Sequence, residues 1–171
     1  AAFAYPVPAA APEIQRSLLR PGERLLEYML GEEVSFLWVV TRNRLFWRQL
    51  PSRAIIEAEV RPYLDRLRSR AADLGDKPSY LPLARRLGRL LLPGGVLDRG
   101  DRLIIVPDGI LHYVPFETLI HPVRAESRQD RFLLEEHEVA FAQSASALRL
   151  LRSPGAVAGV APRGFLGFGD P

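Results

Sequence analysis

The chain has 171 residues, enough for one domain with a buried core. Its 47% apolar and 25% charged residues are ordinary globular composition, and a net charge of +3 is too small to mark a nucleic-acid protein. It contains no cysteine, which excludes disulfides, thiolate metal sites and a cysteine nucleophile within these residues. No apolar run approaches the roughly 18 residues that a membrane span requires, and no secretory signal opens the chain. These features fit a cytoplasmic location. The basic residues are arginine except for Lys77, a bias that coding in a GC-rich genome accounts for.

The chain does not begin with Met, so it is expected to be part of something longer. Residues 1–12 are Pro/Ala-rich without periodicity and read as a linker or entry segment. A short helix follows from Pro12 to Leu19, and Arg20-Pro21-Gly22-Glu23 is a turn. Three strands are predicted next, Arg24–Leu30, Val34–Thr41 and Arg44–Leu50, joined by turns at Gly31-Glu32-Glu33 and Arg42-Asn43. The third has no clean polar face and is expected to pack on both sides. Ser52 then caps an amphipathic helix to about Ala72. Its apolar stripe is Ile55, Ile56, Val60, Tyr63, Leu64 and Leu67, Glu57 and Glu59 sit early, and Pro62 should kink or restart it.

A second helix spans Ser79 to Leu92, with Leu83, Leu87, Leu90 and Leu91 on one side, Arg85, Arg86 and Arg89 on the other, and Pro93-Gly94-Gly95 as its stop. The run Arg102–Val106 is a fully apolar, buried strand leading into the turn Pro107-Asp108-Gly109. A loop at Ile120–Gln129 precedes short strands at Phe132–Glu135 and Glu138–Ala142. Ser144 caps a helix from Ala145 to Arg152. After a Gly/Ala/Pro loop, Gly164–Gly169 reads as another buried strand, expected to need cover from outside this chain.

The candidate chemistry is sparse. His112, four residues after Asp108, reads either as a general base oriented by that carboxylate or as a loop fastener. The second reading is favoured, with His112 buried, because no nucleophile lies nearby. Ser144 and Ser146 lack a nucleophile elbow. His121 and His137 lack metal-ligand spacing, so no metal or other cofactor is expected. Gly164–Gly169 lacks the order and the Lys of a phosphate loop. Trp38 and Trp47 read as core or interface, and Phe116 as core. An anion site built on Arg85, Arg86 and Arg89 is a weaker alternative.

The order of motifs resembles the CHAT family, caspase-like domains found behind TPR arrays in bacteria and related to caspases and separases. The specific segments are LIIVPDGILHYVPFETL (Leu103–Leu119) and SASALRLL (Ser144–Leu151). RPGERLLEYMLGEE, FLWVVTRNRL, LPSRAIIEAEV, LARRLGRLLLPGG and FLGFGDP add coverage from about Pro12 to the end. The resemblance implies an α/β fold, with a mixed sheet flanked by helices forming a pseudo-caspase-like half. It implies a cysteine endopeptidase whose catalytic His stands in an H-x-A-T-H-G context and whose Cys stands in L-S-A-C. Neither context occurs here, so the family's catalytic residues have no counterpart and no catalytic role is assigned. Pro107, Asp108, Gly109, His112, Pro115 and Phe116 carry the family's structural motif. Residues 13–163 are therefore expected to be the N-terminal, non-catalytic subdomain, and 164–171 the first strand of a catalytic half supplied elsewhere. Expected partners are that catalytic half, a substrate polypeptide and an N-terminal TPR array, with no membrane and no nucleic acid. The rival reading is a stand-alone module that binds a protein through an exposed hairpin edge.

Overall fold

The computed structural model describes Pro12 and residues 14–69, 80–120 and 131–152. Five strands form one mixed sheet in the order β3–β2–β1–β4–β5. They are β1 (Glu23–Met29), β2 (Ser35–Val40), β3 (Leu45–Leu50), β4 (Arg102–Val106) and β5 (Glu138–Phe141). The helices are α1 (Arg53–Arg68), α2 (Leu81–Leu91) and α3 (Ala145–Arg152). The α/β class and the mixed, helix-flanked sheet are those read from sequence, and the strand bounds agree within a residue or two.

The sheet has two unlike halves. β1, β2 and β3 form an antiparallel meander, because the connections between them are short. The turn before β1 has Pro21 and then Gly22 at φ +77, closed by a hydrogen bond from the Glu23 N–H to the Arg20 carbonyl at 3.1 Å. β4 returns parallel to β1 after the two-helix crossover, and β5 adds parallel to β4.

Alternate strand residues serve opposite faces. On the first face Leu26, Tyr28, Leu37, Val39, Leu103 and Ile105 pack against Ile56, Val60 and Tyr63 of α1 and Ala84, Leu87 and Leu91 of α2. On the second face Leu25, Val40, Ile104 and Val106 pack against Ile14 and Leu18 of a π-helical turn and Ala145 of α3.

Several sequence expectations are corrected. The helix expected from Pro12 is a π-helical turn, Ile14–Leu18. α1 runs through Pro62 without restarting, and Ile55 and Leu67 of its expected apolar stripe are exposed. Ser52 makes no side-chain cap. Glu57 and Glu59 lie beyond the first turn and act instead through Arg61 of the same helix and Arg86 of α2, at 2.8 and 2.5 Å. β3 does not pack on both sides: Leu45 and Trp47 are exposed, while Phe46, flanked by the guanidinium groups of Arg44 and Arg48, turns to the first face. The segment Phe132–Glu135 is not a strand; Leu133–Glu136 is one helical turn, started by the Phe132 N–H donating to Glu135 Oε2. The expected strand at Gly164–Gly169 lies outside the described residues.

Candidate functional site

β1 and β4 end side by side, with Glu27 opposite Val106. In open α/β sheets the carboxyl ends of parallel strands are where substrate clefts form. Here that edge is organised by the Pro107–Phe116 segment. Leu30 is the first residue past β1, and its N–H donates to Asp108 Oδ2 at 2.7 Å. The Leu30 carbonyl accepts from Arg53 Nη2 at 2.7 Å, the Gly31 N–H donates to Ser35 Oγ at 3.2 Å, and the Gly31 carbonyl accepts from the Arg53 N–H at 2.8 Å. Every backbone polar group of Leu30 and Gly31 is thus satisfied where the ladder stops. Asp108 is the residue that ties the end of β4 to the end of β1.

Two glycines are required by this geometry. Gly109 has φ +54, in the left-handed region. A Cβ on Gly31 would stand 2.1 Å from the Val34 carbonyl oxygen, closer than any real contact. Gly109–Tyr113 is a 3₁₀ turn, opened by the Leu111 N–H donating to the Asp108 carbonyl at 3.1 Å. Its three-residue period turns Leu111 and Val114 inward and leaves His112 and Tyr113 exposed. His112 is therefore not the buried loop fastener expected from sequence. Nor does Asp108 orient it, since among the described residues no hydrogen bond joins the two.

Phe116 is fully buried, as expected, with its ring 5.5 Å from Tyr28 and 6.1 Å from Phe141. Pro107 is buried, and Pro115 is half-buried with its carbonyl accepting from the Thr118 hydroxyl at 2.7 Å. Because that hydroxyl donates to Pro115, Tyr63 Oη donates to it from α1. Tyr28 Oη donates to the Leu91 carbonyl of α2 at 2.9 Å, and burial pushes the pKa of its phenol far up. The chain after the motif crosses α2 at Gly88, where a Cβ would lie 2.0 Å from the Ile120 carbonyl oxygen. The motif residues are brought together as a framework for the strand ends.

The buried histidine is His137, which the sequence did not single out for that role. Its Nδ1 lies 3.0 Å from the Asp101 carbonyl, which accepts its proton, and its N–H donates to the Leu133 carbonyl at 2.9 Å. Only the parallel pairing of β4 with β5 brings His137 to Asp101, so no local signal marks it. His121 lies outside the described residues.

Charges are concentrated where β1 begins. Arg24 is buried and holds the approach to β4 through Asp98 and Asp101, at 2.5 and 2.8 Å, and through the Val96 carbonyl. Glu23 is buried too. Burial alone would raise its pKa, but hydrogen bonds from Arg152 and the Arg20 N–H outweigh this and hold it below the ordinary value. Glu27 has the reverse condition: burial raises its pKa and no charge opposes the rise. Among the described residues there is no thiol, no hydrogen-bonded base and nucleophile, and no group of three side chains able to hold a metal ion. No helix among them is long and apolar enough to cross a membrane.

A mixed α/β sheet, with parallel strand ends braced by this loop and helices on both faces, is the architecture of a caspase-like half. The family model for the CHAT domain matches residues 81–171, just over half of the chain, and the chain belongs to that family. No curated protein matches the chain.

Proposed function

We propose that this chain is the N-terminal, non-catalytic half of a CHAT-type cysteine endopeptidase, supporting and regulating a catalytic half that lies outside these 171 residues. The observation that carries the reading is the pairing of CHAT family membership with a complete lack of cysteine. In such a peptidase a Cys thiolate attacks the peptide carbonyl while a His takes and returns the proton, so the covalent step requires a thiol. What this chain contributes is the strand-end framework at Asp108 and Phe116 beside which a substrate polypeptide would be presented. In this reading the parent protein is a cytoplasmic enzyme, with a TPR array as its regulatory partner.

A second reading, a binding module independent of proteolysis, is favoured by β3, an edge strand with Leu45 and Trp47 exposed. A cysteine-directed covalent probe and a fluorogenic peptide panel separate the two. The purified chain should show background turnover and no labelling, and the parent polypeptide should cleave peptides and be labelled at one cysteine. Turnover by the repurified chain, or an unlabelled and inactive parent, would defeat the peptidase reading.

A further inference from the structure

Glu23, Leu25, Glu27 and Met29 point from β1 to the second face of the sheet. The two glutamates of this row meet opposite surroundings. Over Glu23 lies α3, and Arg152 at its end gives the carboxylate two hydrogen bonds, at 2.6 and 3.0 Å. Glu27, flanked in register by Trp38 and Val106, faces an open groove of about 550 Å³ instead. Met29 and Trp38 line that groove while 51% and 37% exposed, and Trp47 beside Trp38 is 50% exposed. Glu27 is half-buried and has no hydrogen-bond or ion-pair partner among the described residues. A carboxylate partly taken out of water among apolar side chains either takes up a proton or finds a partner cation or hydrogen-bond donor, and a cation holds it in the charged form.

We propose that this groove docks an amphipathic helix of a partner protein, whose apolar side chains cover Trp38 and Met29 and whose single basic side chain pairs with Glu27. The chain itself supplies the pattern: α3 covers the Glu23 end of the same row in just this way, apolar side chains on the sheet and an arginine on the glutamate. Charge complementarity selects among occupants. Residues 1–12 contain no basic side chain and so offer Glu27 no counter-charge. A second copy packed with its two-fold axis at Glu27 would bring like charges together there. The surface is independent of the peptidase reading and stands whether or not the parent protein cleaves peptides.

The chain's two tryptophans, Trp38 and Trp47, both report this face. The probe is a capped, tryptophan-free peptide of about 16 residues, helical once seated, with a Leu/Ala stripe and one Arg within it. Two counterparts carry Gln or Glu in place of that Arg. Titration of the 171-residue chain should give a saturable blue shift in emission with the Arg peptide. The Gln peptide should bind about tenfold more weakly, and the Glu peptide more weakly again. Glu27→Gln, with unchanged circular dichroism, should erase the ranking. Equal affinities for the three peptides, or no saturable shift with the Arg peptide, would overturn the proposal. So would a blue shift that grows with protein concentration alongside dimers in sedimentation, which assigns the groove to a second copy. A red shift of the free chain on Arg163→Gln would assign it to the chain's own later residues and overturn the partner.

Discussion

The two faces of the sheet are made from alternate residues of the same strands, yet one is closed and the other half open. The first face is sealed by α1, α2 and the Leu111–Leu119 segment, and Tyr63, Phe116, Leu26, Leu37, Leu87, Leu103 and Ile105 are fully buried there. Among the described residues the second is covered where α3 and the Ile14–Leu18 turn lie, and its remainder presents Met29, Trp38, Leu45 and Trp47. The difference teaches where stability and recognition are separated. Burial holds the strand ends and the Asp108 loop from one side, leaving apolar side chains of the other side free for contact.

The sharpest way to test that division is to damage the closed face. Phe116→Ala removes a fully buried ring in contact with Tyr28 and Phe141 and should cost about 3–5 kcal/mol, read as a lower urea midpoint. The next effect belongs to the closed end of the second face. Arg152→Ala leaves the buried Glu23 carboxylate without its main partner and should cost roughly 1.5–3 kcal/mol. Its pH dependence follows from the sign of the shift. The folded pKa of Glu23 lies below its unfolded value, so its contribution is present above the unfolded pKa and lost as pH falls through the folded one. Acid melts of Arg152→Ala should therefore be flatter than those of the native chain.

Glu27, in the open groove, should give the opposite slope. Its folded pKa is raised, so the folded chain holds the proton more tightly and is most stable below the unfolded pKa. That stability is lost as pH rises through the folded value. Glu27→Gln should remove the decline, and equal slopes in melting temperature against pH for the two proteins would contradict it. The smallest effect is expected at the open surface. Trp47→Ser gives up a half-exposed ring and its edge contact with Phe36, and should lower the free energy of unfolding by no more than about 1 kcal/mol. A loss comparable with that of Phe116→Ala would mean that the second face is closed after all.

Much of this arrangement is legible in the sequence. The apolar runs Arg24–Leu30, Val34–Thr41 and Arg102–Val106 and the spacing of Ile56, Val60, Tyr63 and Leu64 locate strands and α1, because burial imposes periods of two and of about 3.6. Phe116 is legible as a large apolar ring under the loop after β4, whatever the period of the backbone that carries it. What fails is short or non-local. Phe132–Glu135 has too few residues for its period to distinguish strand from helix, and the Glu135 carboxylate decides the matter. His112 is misplaced because a 3₁₀ turn has a period of three, which a strand-then-loop reading does not anticipate. The partner of His137 lies 36 residues away, across a pairing that no local pattern encodes. The open groove at Glu27 needs sheet order, since only the side-by-side placing of β1 with β2 and β4 sets that carboxylate between Trp38 and Val106.

The parallel pairing of β1 with β4 also bears on how the chain reaches its native state. The meander β1–β2–β3 closes through short turns, whereas the register of Glu23 with Arg102 requires the whole two-helix crossover to be drawn in first. The entropy of closing a loop is lost before its contacts form, so long-range pairs of this kind set the pace of folding. The meander is thus expected to assemble early, with β4 and the Asp108 clasp arriving late. Substitutions in β4 should then speed unfolding more than they slow folding, while those in the β1–β2 turn should act on the folding rate.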